Sequence, residues 1–199
     1  MLPIGGMMFL LFFPASLGIL RQIIWSQELT HQLLASAVFL FSIEQARMAA
    51  KDLQDIAVAK AQVKDIRLET FSRITISTIF IELLGFYISS VWIGCGLIVI
   101  LLSLVWFNLF AGVKIYLGEE TVIQDWRISE RFIVLIADAI GLVLVSLWML
   151  QIASAWITMI LFGMIVVYCS IKLVFFHDQL AASKANVQKT CDKPEGLVS

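Results

Sequence analysis

The apolar residues of this chain are concentrated in long blocks that are separated by short polar segments. Residues 74–113 form one continuous apolar run, and residues 132–152 and 154–176 form two more. A helix needs about 20 apolar residues to cross a bilayer. The first run is therefore long enough for two helices joined by a turn near residues 91–96. This pattern predicts an all-α integral membrane protein with two transmembrane helical hairpins, at 74–113 and 132–176.

The first 48 residues predict one or two further spans. Residues 4–20 are apolar and follow no Lys or Arg, which favours a retained helix over a cleaved signal peptide. Residues 29–48 have a shorter apolar core, which fits either a second span or an amphipathic segment on the membrane surface. Two spans would make a third hairpin at the N-terminus, with six crossings in total, and one span would give five crossings.

The polar segments differ in character. Residues 49–73 are rich in Ala, Gln and alternating charges without Gly or Pro, which predicts a cytoplasmic amphipathic helix. Its opposite charges recur one turn apart, as at Glu69 and Arg73, and such pairs support an exposed helix. Residues 114–131 form a mixed-charge linker, and residues 177–199 form a polar tail.

The two long hairpins begin with the same arrangement of residues. Each first run carries one carboxylate, then Gly three residues later, Ser eight later and Trp ten later. The two sets are Glu82, Gly85, Ser90 and Trp92, and Asp138, Gly141, Ser146 and Trp148. The seven-residue spacing from Gly to Trp recurs at Gly18 and Trp25. The pattern predicts an internal repeat, with Trp25, Trp92 and Trp148 as anchors at a membrane interface, where amphipathic rings collect.

The basic residues predict the orientation. Thirteen of the 14 Lys and Arg residues lie in residues 44–73 and 114–131, at residue 172 or in the tail, and Arg21 is the exception. Loops rich in Lys and Arg stay on the cytoplasmic side. We therefore expect a multi-pass protein of the plasma or inner membrane with its linkers and C-terminus in the cytoplasm.

Two carboxylates fall inside predicted spans. Glu82 and Asp138 lie a third to half of the way into their helices, far from the basic residues at the helix ends. A charge at the centre of a membrane helix costs about 2.5–3.5 kcal/mol on insertion scales, so each acid is either protonated or paired. The functional interpretation is proton or cation handling. The structural interpretation is that protonated carboxyls hydrogen bond between helices or lie near the wet interface.

Small residues recur one turn apart beside these acids. Gly85 precedes Ser89 by four residues, and Ala137 precedes Gly141 by four. Small residues at this spacing let membrane helices approach closely. We interpret these four residues as helix-packing positions.

Composition limits the remaining functions. The chain is 60% hydrophobic and 15% charged with a net charge of −1, so it offers no basic field for nucleic acid. Its three cysteines have no metal-binding or disulfide spacing, and no phosphate-binding loop or catalytic triad is present. We expect no cofactor, no metal site and no enzymatic activity.

These observations favour a non-enzymatic subunit or scaffold of a membrane complex. Such a protein would be surrounded by the lipid bilayer and would bind other membrane subunits or form a homo-oligomer. The alternative is a small proton- or cation-coupled transporter or channel that uses Glu82 and Asp138.

Overall fold

The computed structural model describes residues 4–117 and 121–171, which are nearly all helical. The predicted tail at 177–199 lies outside these residues. The helices are α1 (Ile4–Trp25), α2 (Leu29–Gln62), α3 (Ile66–Ser89), α4 (Ile93–Phe110), α5 (Ile128–Met149) and α6 (Ser154–Ile171). All six are long and apolar enough to cross a membrane.

The short connections between paired helices gather at one end of the bundle, which we name the turn end. They are residues 26–28, 90–92 and 150–153. Gln22 near the end of α1 donates a hydrogen bond to the carbonyl oxygen of Ser89 at 2.8 Å. His31 at the start of α2 lies 6.3 Å from the Trp148 ring of α5, between ring centroids. Helices α1 and α2 pack against each other, as do α3 and α4, and α4 packs against α5.

The opposite end holds the short connection at residues 63–65 and the long connection at residues 111–127, and we name it the linker end. A separate small hydrophobic core forms there between the end of α2, the start of α3 and the first residues after α4. We name it the linker-end core, and its buried members are Ile56, Ala59, Leu68, Phe71, Ala111 and Val113. Polar segments of the chain thus contribute apolar residues to a packed structure.

The polar helix predicted at 49–73 is not a single element, and this boundary prediction was wrong. Helix α2 continues without a break from Leu29 to Gln62, and α3 begins at Ile66. Asp65 ends the interruption because its side chain accepts a hydrogen bond from the backbone N–H of Arg67 and so caps α3. The predicted segment is therefore divided between two long helices.

The linker after α4 contains a β-hairpin that the sequence analysis did not predict. Strand β1 (Val113–Tyr116) pairs antiparallel with β2 (Val122–Asp125). Arg67 of α3 binds Asp125 of β2 with an N–O distance of 2.7 Å, which ties the hairpin to the bundle. The hairpin and the linker-end core together close this end of the molecule.

Glycines set the close approach of α3 and α4. A Cβ on Gly85 would lie 2.6 Å from Cγ1 of Ile100 and 3.1 Å from the carbonyl oxygen of Gly96. A Cβ on Gly96 would overlap Ser89 in turn. The two backbones therefore meet where side chains are smallest, which is how apolar helices gain packing contacts in a membrane.

Candidate functional site

Glu82 lies inside the bundle on α3. Its side chain is only 4% exposed, and it interacts electrostatically with Asp52 of α2 and Asp138 of α5. Among the ion pairs of the residues that the structure describes, none includes Glu82 or Asp138. Glu82 is thus influenced by carboxyl groups of two other helices, and neither Glu82 nor Asp138 has an ion-pair partner in the described part of the chain.

Asp138 differs from Glu82 in having a defined hydrogen-bond partner. The side-chain amide of Asn108, near the end of α4, donates to Oδ2 of Asp138 at 3.1 Å. Both residues are buried: Asp138 is 8% exposed and Asn108 is 5% exposed. Asn108 therefore satisfies one carboxyl oxygen inside the bundle, as a buried polar group requires.

A second set of polar groups lies on α2 and α6, and the sequence analysis missed it. Glu44 is buried and forms a bidentate ion pair with Arg47, with N–O distances of 2.7 and 2.8 Å. Tyr168 of α6 interacts electrostatically with Glu44, Arg47 and Glu82. The i,i+3 spacing of Glu44 and Arg47 was the available signal for the pair.

These groups form one arrangement, which we name the polar cluster. It comprises Glu44, Arg47, Asp52, Glu82, Asn108, Asp138 and Tyr168, contributed by α2, α3, α4, α5 and α6. Asp52 is half-exposed on the part of α2 that leads to the linker end. The cluster therefore reaches the surface of the single chain on that side.

An apolar layer lies beside the polar cluster, one helical turn closer to the turn end. Phe86 follows Glu82 by four residues and is fully buried. Its ring centroid lies 5.6 Å from that of Phe12 and 6.1 Å from that of Phe41. We name Phe12, Phe41 and Phe86 the aromatic layer. Phe86 thus packs against rings of α1 and α2 on the side of Glu82 that leads to the turn end.

The predicted packing residues occupy different surroundings. Gly85 and Ser89 are buried between α3 and α4, while Ala137 is exposed. A Cβ on Gly141 would lie 3.3 Å from Leu101 of α4, so Gly141 also faces a neighbouring helix.

The three predicted anchors lie at the turn end. Trp25 and Trp92 are both 68% exposed, and Trp148 is half-buried beside His31. An indole at the end of a membrane helix is typical of an interfacial position.

The carboxyl groups of the polar cluster are groups that can carry protons. The described residues contain no group of three or more His, Cys, Asp or Glu side chains with the geometry of a metal site. A carboxyl group, by contrast, is stable inside a low-dielectric bundle when it carries a proton, and it can release that proton to an acceptor such as a neighbouring carboxylate or water.

No family model, no curated protein and no solved structure matches this chain.

Proposed function

We propose that this protein is a small membrane transporter or channel that moves protons or monovalent cations by way of Glu82 and Asp138. The observation that carries the proposal is the burial of these two acids, which come from different helices, interact electrostatically and form no ion pair with any residue that the structure describes. An acid in that position is held either neutral by a proton or balanced by a bound cation. Loss and uptake of that proton or cation is the transport step.

The surroundings of the two acids suggest a direction for the route. Asp52 interacts electrostatically with Glu82 and is half-exposed on the side of the linker end, so ions or protons would reach the acids from that side. The aromatic layer would keep the route closed toward the turn end in this conformation. A conformational change that separates Phe86 from Phe12 and Phe41 would then expose the acids to the other side.

Proton flux into proteoliposomes tests the proposal. Purified protein is reconstituted with a pH-sensitive dye inside the vesicles, and a potassium diffusion potential drives the flux; parallel vesicles carry Na⁺ or K⁺ gradients. We expect Glu82→Gln and Asp138→Asn to lower the flux by about tenfold or more, because each removes a group that exchanges protons.

The control is Glu69→Gln, which alters an exposed carboxylate that pairs with Arg73 on the surface of α3. This variant should transport like the wild type. Size-exclusion profiles and melting temperatures check that all variants fold. Wild-type vesicles that show no more flux than empty vesicles for H⁺, Na⁺ and K⁺ would refute the proposal, as would wild-type flux in both acid variants.

The proposed orientation in a plasma or inner membrane has its own test. It is supported by the basic residues of the linkers, and it puts the linker end and the C-terminus in the cytoplasm. A reporter that is active only in the cytoplasm should be active when it is inserted after Glu120, and a reporter that is active only outside the cytoplasm should be inactive there. An external signal from that reporter would contradict this orientation.

A second candidate function is that of a subunit in a larger membrane complex. Only 17% of the apolar window of α5 and 11% of that of α6 are buried in the single chain, compared with 50% for α2. A Cβ on Gly163 of α6 would meet nothing within 4 Å, so a neighbouring helix could approach closely there. This surface fits a membrane partner or a second copy of the chain.

Cross-linking distinguishes this candidate. In a background with the native cysteines replaced, Gly163→Cys should form a disulfide-linked homodimer or link to a subunit that co-purifies in a fixed ratio. Gly5→Cys on α1 is the matched control, because Gly5 is also surrounded by open space. Equal cross-linking at both positions, or none at Gly163, would count against a specific interface.

A further inference from the structure

Arg131 occupies an unexpected position for a residue at the start of a membrane helix. The sequence analysis assigned it to the polar linker, but its side chain is only 2% exposed. Its guanidinium donates to the backbone oxygen of Asn108 at 2.6 Å and to that of Trp126 at 2.5 Å. It also lies 4.9 Å from the centroid of the Trp126 ring.

The bond to Asn108 satisfies the carboxyl end of α4. The last carbonyl groups of a helix have no partner within the helix, and a cation there also interacts favourably with the helix dipole. Arg131 supplies both the donor and the charge. Its bond to Trp126, in the segment between β2 and α5, joins the same helix end to the β-hairpin linker.

Asn108 is therefore held by α5 at two points. Its backbone oxygen accepts from Arg131, and its side-chain amide donates to Asp138, which follows Arg131 by seven residues on the same face of α5. Seven residues are about two helical turns. A movement of α4 relative to α5 would therefore disturb both bonds together.

We infer that Asn108 is a positioning residue for Asp138, and that Arg131 fixes Asn108 by holding the end of α4. This inference rests on the proposed function, because it concerns the same carboxyl. The amide N–H occupies Oδ2 of Asp138 and leaves Oδ1 as the oxygen that takes up the proton. Arg131 thereby connects the linker segment at Trp126 to the orientation of a transporting carboxyl.

Infrared difference spectroscopy tests this inference without any transport. The protonated Asp138 carboxyl gives a C=O stretching band, which is identified as the band that Asp138→Asn removes. Because the Oδ2 carbonyl accepts from Asn108, the isosteric Asn108→Leu should move this band to higher wavenumber. In the Asp138→Asn background, Asn108→Leu should change nothing in that region. A purely structural role for Asn108 would leave the frequency of the band unchanged.

Substitutions of Arg131 test the second half of the inference. Arg131→Met should move the same band in the same direction, and Arg131→Lys should restore part of the original frequency, because lysine keeps the charge but not the two-armed geometry. Arg127→Met, one turn earlier and exposed, is the control and should leave the band in place. An unchanged band in both Asn108→Leu and Arg131→Met would overturn the inference.

The outcome separates this inference from the transport proposal. If wild-type vesicles carry no flux but the band moves as expected, Asn108 positions Asp138 and the transport proposal fails. If flux is present and depends on Asp138 but the band does not move, the transport proposal holds and the positioning role fails. With both correct, Asn108→Leu should also lower the flux by about three- to tenfold, the usual effect of one lost hydrogen bond.

Discussion

The segments that begin with α3 and with α5 carry the same spacing of acid, glycine, serine and tryptophan, but the bundle surrounds the two helices differently. Of their apolar windows, 44% is buried in α3 and 17% in α5. Helix α3 packs against α1, α2 and α4, and α5 packs against α4. Glu82 accordingly faces other carboxyl groups, and Asp138 faces an amide donor. Neighbouring helices, rather than the spacing of residues in the sequence, therefore determine the environment of each acid.

Alanine substitution of the residue one turn after each acid should give the largest difference in stability between the two helices. Phe86 is fully buried in the aromatic layer, whereas its counterpart Leu142 is half-buried. Phe86→Ala should cost about 3–5 kcal/mol, the usual effect of removing a buried aromatic ring. Leu142→Ala should cost less than half as much. The free energy of unfolding in mixed micelles, followed by circular dichroism, gives both values, and equal losses would contradict the comparison.

Alanine substitution of the glycine three residues after each acid should give a smaller difference in stability. Alanine at Gly85 would press on Ile100 and on the backbone of Gly96, and we expect a loss of about 1–3 kcal/mol from overpacking. Alanine at Gly141 would touch only the flexible end of Leu101. The gain in helix propensity, about 1 kcal/mol, should offset that contact. The free energies of unfolding of the two alanine variants test this expectation. A larger loss of stability for Gly141→Ala than for Gly85→Ala would contradict it.

Replacement of the acids by leucine should separate stability from function. Glu82→Leu removes a buried polar group, so the variant should melt at a higher temperature while losing transport. Asp138→Leu should gain about 1 kcal/mol less, since it leaves the amide of Asn108 without its acceptor. Thermal unfolding of the two variants beside the wild type measures the difference. A greater gain for Asp138→Leu would mean that the Asn108 bond contributes nothing.

The smallest difference concerns how the two helices begin. The side chain of Asp65 caps α3, whereas Arg127 before α5 makes no capping hydrogen bond. Asp65→Ala should lower the melting temperature by a few degrees at most at neutral pH, and Arg127→Ala should have no effect on capping.

The pH dependence of this cap has a defined sign. The hydrogen bond from the Arg67 side chain lowers the pKa of Asp65 below its ordinary value. The contribution of Asp65 is therefore present above the ordinary aspartate pKa and is lost as the pH falls through the lower value in the folded chain. Melting curves of the wild type and Asp65→Ala should converge in acid, and a constant separation would exclude this role for the carboxylate.

Helix positions were predictable where apolar runs are long and uninterrupted. The turn expected near residues 91–96 lies at residues 90–92, and the two runs after residue 132 correspond to α5 and α6. The break at residues 63–65 was missed because no Gly or Pro marks it. Asp65 before Ile66 was a cap signal that alternating charges on both sides obscured. Strands β1 and β2 have four residues each, too few for alternation to stand out.

The site was only partly predictable. Glu82 and Asp138 stood out because a carboxylate in an apolar run is rare. Glu44 and Arg131 did not stand out. Glu44 lies just before one polar segment and Arg131 ends another, and both are buried by helices that are distant along the chain. Contacts such as Asn108 with Asp138 depend on how α4 and α5 cross, which no spacing within one helix can reveal. The internal repeat and the membrane orientation stay predictions.

The linker-end core gives this protein two parts that should respond differently to temperature. Between helices in lipid, the hydrophobic effect supplies little driving force. In the orientation proposed above, the core built on residues such as Phe71 and Val113 faces water instead. Its opening exposes apolar surface to water, which raises the heat capacity and weakens that part on cooling. Urea or cold should therefore release the β-hairpin before the helices separate, so this end would behave as a small soluble domain attached to a membrane bundle.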